Sequence, residues 1–130
     1  DATINATMRE WWDRYNVVEV CYDQYQLHDI MMRARRSGIR VYSFGQTVER
    51  YLADKSFKGM VLRRQIAHDG HLGLRAHVDH AAAKIIGEKY RFVKPEVAAN
   101  TTTSRYTRPI DALVAASMGA YRCRHLILER

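Results

Sequence analysis

The sequence lacks most of the features that readily name a function. No apolar run approaches the roughly 18 residues needed to cross a bilayer, so no helical membrane span is expected. The opening residues, Asp1-Ala2-Thr3-Ile4-Asn5, carry neither a basic n-region nor an apolar h-region, and no secretory signal is visible in them. Cysteine is scarce: Cys21 and Cys123 are the only two, both in apolar settings. Buried free thiols and a reducing compartment are the expectation. Glycine-rich phosphate loops and Walker-type Lys-Ser/Thr pairs are missing, as is the HExxH pattern. Nothing around Ser104 or Ser117 resembles a nucleophile elbow. Internal repeats and low-complexity segments are absent as well.

What remains is a basic globular chain. Its 130 residues suit one domain, 1–130, large enough to bury a core without staples. Hydrophobic residues make up 47% and charged ones 27%, which separates the chain from disordered sequences. Lys and Arg number 21 against 14 acidic residues, a formal charge of +7. That surplus favours a polyanionic partner, nucleic acid before an anionic membrane; the plainer alternative is charge that only aids solubility. The cations cluster in part, at Arg33-Ala34-Arg35-Arg36, at Arg63-Arg64, and at Arg105 with Arg108.

Periodicity predicts a helix over 5–14, capped by Asn5 or Thr7, with Met8, Trp11, Trp12 and Tyr15 at helical spacing. A β-branched run over 17–22 predicts a strand. An amphipathic helix over 24–37 stops at Gly38, and a second strand covers 40–44. A long helix is predicted over 47–66, capped by Thr47, with Val48, Tyr51, Leu52, Met60, Leu62 and Ile66 as its apolar members. After the His68-Asp69-Gly70 turn come a helix over 72–86 that stops at Gly87, a short third strand at 90–93 and a polar loop over 95–108. A last helix over 109–128 has Pro109 at its favoured first position. This alternation predicts an α/β fold with right-handed crossovers. Three strands make a thin sheet, and a helix leading into a buried strand is expected of the back part of a larger domain.

Two carboxylates stand at meaningful places. Asp23 closes the run Val17-Val18-Glu19-Val20-Cys21-Tyr22, and Asp111 opens the helix Pro109-Ile110-Asp111-Ala112-Leu113-Val114-Ala115-Ala116. Each has a plain reading as a helix cap or dipole partner. Each also has a functional one, as an oxygen ligand to Mg²⁺ or Mn²⁺. In open α/β sheets the active crevice lies outside the carboxyl ends of the strands, where two such acids would meet. Ile110, Leu113, Val114, Ser117, Met118 and Tyr121 form one face of the last helix. Ala112, Ala115, Ala116, Gly119 and Ala120 leave the rest nearly bare, which predicts close packing on a sheet. His68, His71, His77 and His80 form a rival constellation, but no fixed Cys or carboxylate completes a zinc set.

The ordered segments resemble the nuclease domain of phage terminase large subunits, in the ribonuclease-H-like superfamily. Four stretches carry the likeness. Val18-Glu19-Val20-Cys21-Tyr22-Asp23-Gln24-Tyr25-Gln26 is similar to the strand ending in the family's second acidic ligand. Gly38-Ile39 through Phe44-Gly45-Gln46-Thr47, with the helix that follows, resembles the next strand–helix unit. His68-Asp69-Gly70-His71-Leu72 through Val78-Asp79-His80-Ala81 resembles a segment that often reads His-Asp-Gly-Asn-Pro and ends in Asn-Ala. Tyr90-Arg91-Phe92-Val93-Lys94 and Ile110-Asp111-Ala112-Leu113-Val114 resemble the strand, lysine and third acidic ligand. The likeness covers about residues 8–122.

The resemblance implies a ribonuclease-H-like mixed sheet flanked by helices, here an incomplete sheet of about three strands. It implies a partial nuclease domain: a two-metal endonuclease that cuts viral DNA during genome packaging. Asp23 and Asp111 would be catalytic ligands to Mg²⁺ or Mn²⁺, and Lys94, Arg105 and Arg108 would contact nucleic acid. Double-stranded DNA, an ATPase domain, a portal and a small terminase subunit would be partners in the host cytoplasm, with no membrane involved. The chain departs from the pattern in three ways. The family's first catalytic Asp has no counterpart, since Asp1 is terminal and Asp13 lies on the first helix. His71 and His80 stand where Asn is common, and Ala76 where an aromatic is common. The alternative is a catalytically incomplete, basic DNA- or partner-binding module of the same fold.

Overall fold

The computed structural model describes residues 2–95 and 109–128. The chain is mixed α/β, and its contacts divide it into two compact units, Asp1–Gln46 and Thr47–Arg130. Each unit holds a two-stranded sheet.

The first unit runs α1 (Ala2–Arg14), β1 (Val20–Asp23), α2 (Gln24–Arg36) and β2 (Val41–Phe44). β1 and β2 pair in parallel from Val20↔Val41 to Asp23↔Phe44, with α2 as the crossover. The chain leaves α2 where Gly38 adopts φ 95°, a left-handed turn that suits glycine. The Ser37 and Ile39 amides then satisfy the Arg33 and Ala34 carbonyls at 3.1 Å each. Met8 on α1, Tyr22 on β1, Met31 and Ala34 on α2, and Ile39 close a small core. Arg9 fastens α1 to the end of α2, donating from Nη2 to the Ser37 carbonyl (2.7 Å) and hydroxyl (2.8 Å). A cation there also suits the negative end of the helix dipole.

The second unit runs α3 (Val48–Leu62), α4 (Leu72–His80), β3 (Ala82–Ile86), β4 (Lys89–Val93) and α5 (Asp111–Leu128). β3 and β4 form an antiparallel hairpin from Ala82↔Val93 to Ile86↔Lys89. Its two-residue turn, Gly87-Glu88, places Gly87 at φ 60°, the Gly-first pattern of a tight hairpin. Phe57 on α3 and Phe92 on β4 meet edge to face, centroids 6.1 Å apart.

Several expectations are corrected. The helix predicted over 72–86 breaks after His80, and Ala82–Ile86 is a strand instead. The alanines mimic a helix, but Ile85 and Ile86 gain a pairing partner across the glycine turn. The thin three-stranded sheet becomes two separate pairs among the described residues. α3 ends at Leu62, and Thr47 stands at its N-cap without a side-chain cap bond. Its buried face is also not the predicted one: Val48 is 68% and Leu62 71% exposed, while Arg50, Ala53, Asp54 and Phe57 turn inward. α5 packs against α3 and α4, and Ala115 and Gly119 on its bare face are exposed. Cys123 is exposed and Cys21 half-buried, both as free thiols.

The inward charges on α3 are explained by their partners. Asp54 Oδ2 accepts from Arg50 Nε at 2.8 Å and from the Phe92 amide at 3.0 Å, and Asp54 Oδ1 accepts from Ser117 Oγ at 2.6 Å. Arg50 Nη2 in turn donates to the Phe92 carbonyl at 2.9 Å. The pair therefore serves the outer edge of β4 as a neighbouring strand would, satisfying both backbone groups of Phe92. Asp54 and Ser117 are wholly buried, and no buried side-chain nitrogen or oxygen among the described residues lacks a partner. Asp54→Ala, which strands a buried guanidinium, is expected to cost about 3–5 kcal/mol in urea unfolding. A loss below about 1 kcal/mol would contradict this account of α3.

Candidate functional site

Asp23 occupies two roles at once. It is the last residue of β1, at the carboxyl end of the parallel pair, and the N-cap of α2. Its Oδ1 accepts from the Tyr25 amide at 3.1 Å, the cap bond expected of an Asp before a helix. Oδ2 makes no bond to any other described residue. Beside it, Tyr22 Oη lies 3.3 Å from His28 Nδ1.

Asp111 behaves differently. It is the first residue of α5 and exposed, and its carboxylate has no hydrogen bond or ion pair with a described residue. The capping work at this helix end falls to histidine: His77 Nδ1 accepts from the Ala112 amide at 2.8 Å. His80 Nδ1 lies 3.4 Å from the Pro109 carbonyl, which can only accept, so that nitrogen carries the proton. With the Ala112 amide taken by His77, Asp111 closes no capping bond with a described residue.

His68 and His71, the other two of the predicted constellation, also spend their Nδ1 atoms on backbone. His68 accepts from the Gly70 amide at 3.0 Å and His71 from the Gly73 amide at 3.1 Å. Asp69 Oδ1 accepts from the His71 amide at 3.0 Å between them. The His-Asp-Gly-His segment is thus a series of side-chain-closed turns leading into α4, with His71 as its N-cap. Among the described residues, no group of three or more His, Cys, Asp or Glu is arranged to hold a metal ion.

Lys94 follows β4 directly, exposed and without a bond to a described residue. Arg105 and Arg108 lie outside the described residues. Asp23 belongs to the first unit; Asp111 and Lys94 belong to the second. Neither the buried Arg50–Asp54 pair nor the capping role of His77 is among the features expected from the sequence. The first has a legible signal: positions 50, 53, 54 and 57 repeat at helical spacing, with apolar Ala53 and Phe57 on the same face as the opposite charges Arg50 and Asp54. Near this pair, burial first and the Asp54 charge second raise the Tyr90 phenol above its ordinary value, so it stays neutral at ordinary pH.

The two caps can be weighed separately. Asp23→Ala and His77→Ala should each cost about 0.5–2 kcal/mol of stability, read from denaturant midpoints. Asp111→Ala should cost less than either, since its carboxylate closes no bond with a described residue. An Asp111→Ala loss as large as that of His77→Ala would return Asp111 to a capping role. In comparisons with known proteins, no family model, no curated protein and no solved structure matches this chain, so its site is read from its own residues.

Proposed function

We propose that this chain supplies part of a metal-dependent endonuclease site of the ribonuclease-H-like class, of the kind that cuts viral DNA during genome packaging. One observation carries the reading: Asp111 stands at a helix N-terminus where His77 accepts from the Ala112 amide, and its carboxylate has no hydrogen bond or ion pair with a described residue. The placement of Asp23 supports it, since it ends a strand of a parallel β–α–β unit with one oxygen uncommitted. The order of the four resembling segments and the +7 charge support it further.

In this reading Asp23 and Asp111 hold Mg²⁺ or Mn²⁺, and their hard carboxylate oxygens fit such ions. The cations, when bound, stabilise the attacking and leaving oxygens of phosphodiester hydrolysis. Lys94, exposed and without a bond to a described residue, neutralises a phosphate of the double-stranded DNA. An ATPase domain, a portal and a small terminase subunit would be its working partners, in the host cytoplasm. No helix among the described residues is long and apolar enough to cross a membrane.

A second reading is favoured by the acid count. The 130 residues match two of the family's three acidic positions, and a site built from two alone would leave a basic DNA- or partner-binding module. Two carboxylates hold divalent cations more weakly than three, so the chain should nick supercoiled plasmid only slowly, in Mn²⁺. Asp23→Asn or Asp111→Asn should each abolish that nicking while leaving plasmid binding intact. Nicking that survives both substitutions would overturn the shared acidic site. Plasmid binding without any nicking would favour the binding module.

A further inference from the structure

A groove in the second unit, about 730 Å³ in volume, runs between the α3 helix and the β3–β4 turn, reaching Tyr121 on α5. Lys55, Lys58 and Arg63 border it from α3 and the residue after it, and Lys89 from the start of β4. Glu88, on the hairpin turn, is the one acidic residue among the described residues that line it. No ion pair neutralises any of the four cations among the described residues. Between them lie Leu52, Leu62 and Ile85, which are 50%, 71% and 66% exposed. The result is an apolar floor under a cationic rim.

The rim is held in place rather than free. Lys58 Nζ sits 4.8 Å from the centre of the Tyr90 ring and Lys89 Nζ 5.6 Å from that of Tyr51. Lys55 Nζ lies 3.5 Å from the Glu88 carbonyl, and Arg63 Nε donates to Gln65 Oε1 at 3.2 Å. These contacts fix the three ammonium groups and the Arg63 guanidinium without cancelling their charge. Gathering four unpaired cations around one concavity costs free energy that a bound polyanion would recover. The ordering of their side chains is already met before any ligand arrives.

We propose that this groove binds single-stranded nucleic acid, with phosphates on Lys55, Lys58, Arg63 and Lys89 and unstacked bases against Leu52, Leu62 and Ile85. Duplex fits less well, because its bases are stacked inward and would leave the apolar floor uncovered. A cationic rim over an apolar and aromatic floor is the arrangement by which strands are held without sequence preference. The site is separate from Asp23, Asp111 and Lys94 and requires no divalent cation, so it stands or falls independently of the nuclease reading.

Fluorescence anisotropy of a labelled oligothymidine with the full chain, in EDTA, tests this. The oligonucleotide should bind more tightly than a duplex of equal length. Lys58→Gln/Lys89→Gln should weaken it about tenfold and reduce the slope of log affinity against log salt by about 0.7 for each cation removed. Lys58→Arg/Lys89→Arg should retain the affinity, and Asp23→Asn/Asp111→Asn should leave it unchanged. Unaltered affinity and slope in the glutamine variant, with an unaltered thermal melt, would overturn the proposal. Preferential capture of polyglutamate or phosphatidylserine vesicles over the oligonucleotide would overturn it too.

Discussion

The second unit depends on one buried carboxylate. Asp54 has no exposure and accepts from three donors on three elements: Arg50 on α3, the Phe92 amide on β4 and Ser117 on α5. Burying an ionised carboxylate costs several kcal/mol, which only a matched cation and full hydrogen bonding offset. Both conditions are met here, and meeting them ties three elements to one register. A one-residue slip of β4 would present the wrong backbone groups to Arg50 and Asp54 and turn Phe92 away from Phe57. A rotation of α5 would withdraw Ser117. Lys94 at the end of β4 and the N-terminus of α5 are thus set by a polar lock inside the unit, while apolar packing at Ala53, Phe57, Leu113 and Met118 fills the space around it.

Helix ends carry the functional consequence. Four orphan amides at each N-terminus need acceptors, and this chain assigns them unevenly. α2 takes an Asp23 oxygen, α4 takes His71 and α5 takes His77. The histidine at α5 is the informative choice. A neutral imidazole satisfies the amide without a charge and leaves Asp111 outside the helix's own bonding. The Asp111 carboxylate, at the positive end of the helix dipole, has no hydrogen bond or ion pair with a described residue.

Much of the first unit was legible because its signals are local. Asp23 before an amphipathic run, Gly38 after it and β-branched residues on either side specify a β–α–β unit within about 25 residues. The second unit hid more, for reasons of physical context. Ala81-Ala82-Ala83 favour helix in isolation, and only pairing with Tyr90–Val93 makes a strand of 82–86. Lys84-Ile85-Ile86-Gly87-Glu88-Lys89-Tyr90 does carry a hairpin signature, with two β-rich runs around a Gly-first turn. The inward face of α3 was concealed because charge ordinarily marks the outside. Arg50 and Asp54 are inside because each satisfies the other, a fact that hydropathy does not record. Of the candidate site, the positions of Asp23 and Asp111 on a strand end and a helix start were readable from the sequence. That histidine frees Asp111 was not, since it depends on α4 meeting α5 far along the chain.

The proposed function requires Asp23 and Asp111, from two units, to serve one cation. Paramagnetic broadening of backbone amide signals by substoichiometric Mn²⁺ tests it most directly. A shared site predicts that amides of Tyr22 to Tyr25 and of Asp111 to Leu113 broaden together at one Mn²⁺ concentration, and that Asp111→Asn removes both effects. Two groups that broaden independently, each unaffected by loss of the other acid, would contradict it.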